Sequence, residues 1–183
     1  MKQPRYFASG QLQFITASTY RRAPLFLSSR FCRIFVAALE EVRREFEFRL
    51  LGWVPMPDHF HLLIRPEPAS CTSKIVQQLK QPTAARILVE LRRNRGRRWS
   101  GEMLAYLSLL STVHEHFDYW LWQRRFYPFG ICTERKRLEK VDYMQANPVK
   151  RGLAMLPGEW PWSSFRFYKL GDDSALKMDR MPW

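Results

Sequence analysis

The chain is short of cysteine, of acidic residues and of uninterrupted apolar sequence, and each shortage removes a class of protein. Cys32, Cys71 and Cys132 are odd in number, far apart and outside any C-x-x-C spacing, which argues against a disulfide framework and a zinc ribbon. They read as reduced thiols, mostly core. No stretch approaches the roughly 20 uncharged apolar residues of a membrane-spanning helix, because arginine or glutamate interrupts every apolar run. Met1 to Gly10 also lacks the apolar centre of a secretory signal, so a cytoplasmic protein is expected, with no membrane partner. Acidic residues number 17 against 30 lysines and arginines, a net charge of +13. Such an excess favours a polyanionic partner, nucleic acid first. No composition break marks a linker in the 183 residues, so a single domain over 1–183 is expected, carrying an extended basic and aromatic stretch at about 92–122 and a tryptophan-rich tail at about 154–183.

What is present orders into strands and helices. Gln11 to Thr19 (QLQFITAST) alternates and carries β-branched residues, predicting a strand that Tyr20-Arg21-Arg22-Ala23-Pro24 ends. Ser28 or Ser29 can cap a helix whose Phe31, Ile34, Phe35, Ala38, Leu39 and Val42 recur at three and four, with charged residues outside. Phe46 to Val54 and His59 to Ile64 predict a hairpin around the turn residues Pro55-Met56-Pro57-Asp58. Thr72 or Ser73 opens a second helix running towards Leu91, with Pro82 expected to kink or split it. Arg92 to Arg98 (RRNRGRR) predicts an exposed basic loop, and Gly101 to Leu110 a short helix. His114 to Phe129 shows no clear period. Thr133 can cap a last main helix that ends at Asn147-Pro148, since the residue before proline disfavours the helical region. This order predicts an α+β fold, an antiparallel sheet with helices on one face.

Within this frame, His59 and His61 are two apart on a strand, so both imidazoles point to one face and can share a cation, while Phe60 points to the other. A second such pair, His114 and His116, has no partner motif near it. A cation with two protein ligands leaves room for a substrate oxygen, and in a basic protein that oxygen suits a phosphodiester. No serine or cysteine lies in an activated motif, which turns attention to tyrosines with a metal-binding side chain at i+4. Three satisfy this: Tyr119 with Gln123, Tyr143 with Asn147, and Tyr168 with Asp172. On a helix such pairs share a face. The helix signal is best for Tyr143; Gly171 interrupts the Tyr168 pair, and Tyr119 sits among aromatics that suit a core or stacking role.

Met56-Pro57-Asp58-His59-Phe60-His61-Leu62-Leu63-Ile64, Tyr143-Met144-Gln145-Ala146-Asn147-Pro148-Val149-Lys150-Arg151-Gly152-Leu153 and the tail Glu159-Trp160-Pro161-Trp162-Ser163-Ser164 resemble, in matching order, the signature segments of REP-associated tyrosine transposases of the HUH endonuclease superfamily. The resemblance spans roughly Phe7 to Tyr168. It implies a ferredoxin-like antiparallel sheet with helices packed on it. It implies Mg2+ or Mn2+ held by His59, His61 and Asn147, and Tyr143 as a nucleophile that forms a 5′-phosphotyrosine link and frees a 3′-hydroxyl. The implied partner is single-stranded or hairpin DNA, with no small-molecule cofactor and either a monomer or a homodimer. Asp58 stands where relatives often have asparagine, Pro82 interrupts a helix usually unbroken, and Arg92 to Trp122 is longer than in many relatives.

For phosphate contact the basic positions are Arg21, Arg22, Arg92, Arg93, Arg95, Arg97, Arg98, Lys136, Arg137, Lys150 and Arg151, with Trp120, Trp122, Trp160 and Trp162 as stacking candidates. Two other readings compete: a domesticated relative that binds DNA or RNA hairpins without cutting them, and a metal phosphoesterase that uses water on small molecules. The histidines, tyrosine and asparagine weigh against the first, the net charge against the second.

Overall fold

The computed structural model describes residues 10–68, 70–108, 121–173 and 175–180. Four strands, β1 (Gln13–Ser18), β2 (Arg49–Met56), β3 (His59–Arg65) and β4 (Tyr127–Gly130), form one sheet in the order β2-β3-β1-β4, every neighbouring pair antiparallel. The helices are α1 (Ser29–Phe46), α2 (Thr72–Arg93), α3 (Arg98–Ser108), α4 (Glu134–Lys150) and α5 (Phe165–Leu170). The strand order and the crossovers through α1 and α2 are those of a ferredoxin-like α+β fold, as expected. No helix among the described residues is long and apolar enough to cross a membrane.

Alternation along the strands separates two cores. Ile15 and Ala17 of β1 and Phe60, Leu62 and Ile64 of β3 pack with Phe35, Leu39, Ile75 and Leu79 of α1 and α2. Phe14 of β1, Leu63 of β3 and Leu51, Val54 and Met56 of β2 face the other way, where Val141 and Met144 of α4 cover them. Helices therefore occupy both faces, not one. The period-two signal was legible, but its polar members on the second face, His59 and His61, are the ones that α4 covers. Gly52 permits α4 to approach: a Cβ there would run into the Met144 side chain and lie 3.2 Å from Leu63 Cβ.

Several boundaries differ from expectation: α1 takes Phe46, and β2 starts at Arg49 and runs on through Pro55 and Met56, leaving Pro57-Asp58 as the turn. Helix α2 runs unbroken through Pro82, burying Ile75, Val76, Leu79, Thr83, Ile87 and Leu91, so tertiary packing of that stripe outweighs the missing amide. Helix α4 continues through Pro148 to Lys150, with the Arg151 amide donating to the Asn147 carbonyl at 3.0 Å. Strand β4 lies in the stretch with no readable period; at four residues it is too short for an alternation to stand out. The arginine-rich run is exposed as predicted, although Arg92 and Arg93 complete α2 and Arg98 opens α3, leaving a turn at 94–97.

The segment after α4 closes the free edge of β2. The Ser164 amide donates to the Trp53 carbonyl at 2.9 Å, and the Trp53 amide donates to Ser164 Oγ at 3.2 Å. Further along, Leu50 N–H donates to Asp179 Oδ2 at 2.8 Å and Asp179 N–H to the Leu50 carbonyl at 3.0 Å. An edge that would otherwise present unpaired backbone groups is covered.

Candidate active site

The site forms where β3 starts and α4 ends. His59 and His61 lie on the α4 face of the sheet and are 4% and 3% exposed. Their Nε2 atoms face each other at 3.2 Å, and Asn147 Nδ2 lies 3.0 Å from His61 Nε2. The remaining ring nitrogens are engaged elsewhere. His59 Nδ1 donates to Asp58 Oδ1 at 2.6 Å, and His61 Nδ1 is 2.8 Å from Thr16 Oγ1, its cross-strand partner on β1. Phe14 stacks on His61 with ring centroids 5.0 Å apart.

Burial, reinforced by nearby cationic groups, pushes the His61 pKa down to about 3. Burial also lowers that of His59, against the opposing pull of Asp58. Both rings are thus neutral near pH 7. For Asp58 burial acts to raise the pKa, but His59 and Arg22 together outweigh it and the net shift is down.

This donor set fits a cation. With Nδ1 of His59 committed to a carboxylate, its unprotonated Nε2 faces His61 Nε2, which Asn147 also contacts, and a positive ion between the two nitrogens would relieve this close approach. A half-turn of the Asn147 amide presents Oδ1 in place of Nδ2. Among the described residues no cluster of three or more His, Cys, Asp or Glu side chains gathers, so two imidazoles and an amide are the set available, with room for substrate oxygens.

Tyr143 precedes Asn147 by one turn of α4 and shares its face. Its ring centroid is 5.5 Å from that of His61 and 6.2 Å from that of Phe14, yet the residue is 43% exposed, so its hydroxyl can reach a ligand from solvent. Two ammonium groups flank it: Lys140 Nζ and Lys150 Nζ each lie 5.9 Å from the ring centroid. Lys140 also stands over Phe129 at 5.0 Å and over Phe14 at 5.6 Å.

The other tyrosine pairs separate clearly. Tyr168 donates its hydroxyl to the Leu51 carbonyl at 2.8 Å, and burial, with Asp179, raises its pKa to about 12; α5 ends at Gly171, and Asp172 pairs with Arg166 instead. Tyr119, Trp120, His114 and His116 lie outside the described residues, but Gln123 is in an extended connection whose amide donates to the Ser18 carbonyl, not on a helix.

Of the basic positions, Lys150 and Arg151 reach the site from the end of α4, and Arg22 reaches Asp58 at 3.1 Å. Arg21 precedes Arg22 in the same turn. Lys136 and Arg137 pair along α4 with Glu139 and Glu134. Arg92, Arg93, Arg95, Arg97 and Arg98 sit at the α2–α3 junction, on the helices of the opposite face, and Arg98 pairs with Glu102. The three stacking candidates among the described residues are engaged in packing: Trp122 is 6% exposed with its indole N–H on the Lys80 carbonyl, Trp160 donates to the Pro55 carbonyl, and Trp162 packs against the α1 core. Lys140, Thr16, Phe14 and Phe129 were not singled out from sequence. Lys140 was findable, being three residues before Tyr143 on the same helix face; Thr16 and Phe129 required the strand register.

Comparison with known proteins gives the family and the fold. A family model described as "Transposase IS200 like" matches residues 7–108, more than half the chain. A REP-associated tyrosine transposase of Escherichia coli K12 is 24% identical over 88% of this chain and 80% of its own length. A Haemophilus influenzae protein, provisionally given the same name, is 26% identical over 88% of this chain and 83% of its own. The solved structure of a REP-associated tyrosine transposase bound to a REP hairpin matches with a TM-score of 0.67 and 20% identity, covering 100% of this chain and 94% of that one, a likeness of fold. The chain, similar to REP-associated members, belongs to the IS200-like transposase family.

Proposed function

We propose that this protein cuts and rejoins single-stranded DNA at REP-like hairpins, through a covalent 5′-phosphotyrosine intermediate formed by Tyr143 and with a divalent cation as cofactor. The observation that carries the reading is the convergence of His59, His61, Asn147 and Tyr143 at one end of the α4 face. The hairpin is inferred from the solved relative, which is bound to one.

A divalent cation held by His59, His61 and Asn147 would polarise a phosphate oxygen and offset the charge that develops during attack. Imidazole donors suit Mn2+ better than Mg2+, which prefers oxygen. Tyr143 Oη gives up its proton and attacks phosphorus, the Oη–P bond forms as the P–O3′ bond breaks, and the departing 3′-oxygen takes up a proton to end as a hydroxyl. That hydroxyl can attack the phosphotyrosine in reverse, or one from another junction can replace it, so the link conserves the energy of the broken bond. Lys140 and Lys150 place positive charge beside the attacked phosphate. Exposed Tyr127 and Phe129 of β4, with Lys140 over Phe129, suit unpaired bases stacking next to Tyr143.

The test is a denaturing gel of labelled hairpin DNA with a single-stranded flank, incubated with the protein and Mn2+ or Mg2+. A protein-linked fragment is expected, absent in Tyr143→Phe and with chelator. Tight binding with no adduct across a broad set of hairpins would instead support a module that recognises hairpins without cutting.

A further inference from the structure

We infer that Asp58, clamped by Arg22, is the positioning residue of the cation site: it holds His59 in its Nδ1–H form, with the Nε2 lone pair turned towards His61 and Asn147. This rests on the cation reading above and concerns two residues that touch no ligand themselves.

Asp58 sits in the two-residue turn between β2 and β3 and is held on every side. Its carbonyl accepts from the Thr19 amide at 2.9 Å and shares the single Thr19 hydroxyl proton, at 2.9 Å, with the Ala23 carbonyl, and Thr19 is fully buried. The preceding Pro57 carbonyl accepts from the Phe26 amide at 3.0 Å. One carboxylate oxygen accepts a hydrogen bond from His59 Nδ1–H at 2.6 Å and the other accepts from Arg22 Nη1 at 3.1 Å. The carboxylate cannot rotate away without breaking one of these contacts.

Arg22 reaches that oxygen from a costly backbone. Arg21 and Arg22 both adopt left-handed conformations, with φ of 46° and 59°. Side chains with a Cβ disfavour this region, and consecutive residues there normally call for glycine or asparagine. The turn is held by Ala23 N–H on the Tyr20 carbonyl, by the Thr19 hydroxyl on the Ala23 carbonyl and by the Tyr106 hydroxyl on the Arg21 carbonyl. Strained backbone retained beside a functional constellation is itself a pointer to role. Here its result is to bring a guanidinium to Asp58, where phosphate contact was the sequence expectation for Arg22.

The two histidines are supported differently. His61 has a neutral hydroxyl, Thr16, at its Nδ1, whereas His59 has a carboxylate. A carboxylate behind an imidazole fixes the tautomer and makes the opposite nitrogen a stronger donor. His59 is therefore the stronger of the two ligands, and its strength comes from the β2–β3 turn.

The test measures Mn2+ affinity by calorimetry and His59 ring nitrogen shifts by NMR in the metal-free protein. Wild type should show Nδ1 protonated and Nε2 bare. Asp58→Ala should bind Mn2+ about ten- to a hundredfold more weakly and lose the fixed tautomer. Arg22→Gly accepts the left-handed φ without strain, so the fold is kept while Mn2+ affinity falls about two- to fivefold. Asp58→Asn, which keeps an acceptor but no charge, should hold the tautomer and bind with intermediate affinity. Equal Mn2+ binding by wild type and Asp58→Ala overturns the inference, as does a wild-type His59 protonated at Nε2. A wild type that binds no Mn2+ overturns the cation reading together with it, a result distinct from failure of Asp58 alone.

Discussion

Adjacent side chains of α4 are placed in opposite environments: Met144 is fully buried against the sheet, while Tyr143 beside it is 43% exposed. That contrast makes Tyr143 available to a ligand and pins the helix that carries it. Phe129, 44% exposed, is an aromatic surface open to solvent that shares the Lys140 ammonium with Tyr143. Phe129→Ala should weaken binding of a hairpin's single-stranded flank by about 1–3 kcal/mol, the worth of one stacked base, and leave a blunt hairpin unaffected. Fluorescence titration with the two DNAs checks this, and equal losses for both would remove Phe129 from the strand path. The cysteines, expected mostly in the core, prove to be one buried and two exposed, and they offer a second prediction. The Cys32 thiol is buried against the Phe26 carbonyl and its pKa is raised by that burial to about 12. Cys71 is exposed at the start of α2, where the Lys74 amide first and then Ser73 favour its thiolate and lower its pKa, although its side chain closes no full cap hydrogen bond. Since the thiolate is the reactive form, iodoacetamide at pH 7 should modify Cys71 first and the exposed Cys132 also, and reach Cys32 only on unfolding. Mass spectrometry of a time course reads the order; early labelling of Cys32 would contradict it.

At the scale of elements, α2 shows a local preference overruled by packing. Pro82 withdraws one amide from the helix, and the helix persists because its buried stripe faces the sheet and α1. Pro82→Ala should restore a donor in an already helical backbone and raise stability by about 1–2 kcal/mol, after part of the gain is offset by a more flexible unfolded chain. A denaturant midpoint that falls would show that Pro82 serves the native packing. The clasp on β2 is the opposite case, an element completed by distant sequence. Asp179 accepts from Leu50 N–H and from Arg43 Nη2, so Asp179→Ala leaves a strand amide without that partner and should cost about 1–3 kcal/mol. Chemical denaturation gives the number, and an unchanged midpoint would mean that the tail does not brace the edge. The site is divided in the same way: β3 supplies the histidines and α4 supplies Tyr143 and Asn147, with Gly52 permitting the two to close together.

For the molecule as a whole, the charge of +13 would govern the DNA binding proposed above. Binding of a single-stranded flank should weaken linearly on a log–log plot against salt, with a slope of about −0.7 for each phosphate neutralised. A flat response would remove phosphate contact from the account. The main helices, the hairpin and the pairs His59–His61 and Tyr143–Asn147 were legible along the chain, because each depends on a period of two or of three and four residues that the chain itself displays. The short β4, the placing of α4 on the second face and the persistence of α2 and α4 through their prolines were not, since long-range packing outweighed local preference at each. The sequence by itself determined which side chains share a face of one element, whereas only the tertiary structure decided which faces meet. His61 approaches Asn147, Thr16 and Phe14, and Asp58 engages Arg22, through strand register and helix packing between residues far apart in the chain, where no local period extends.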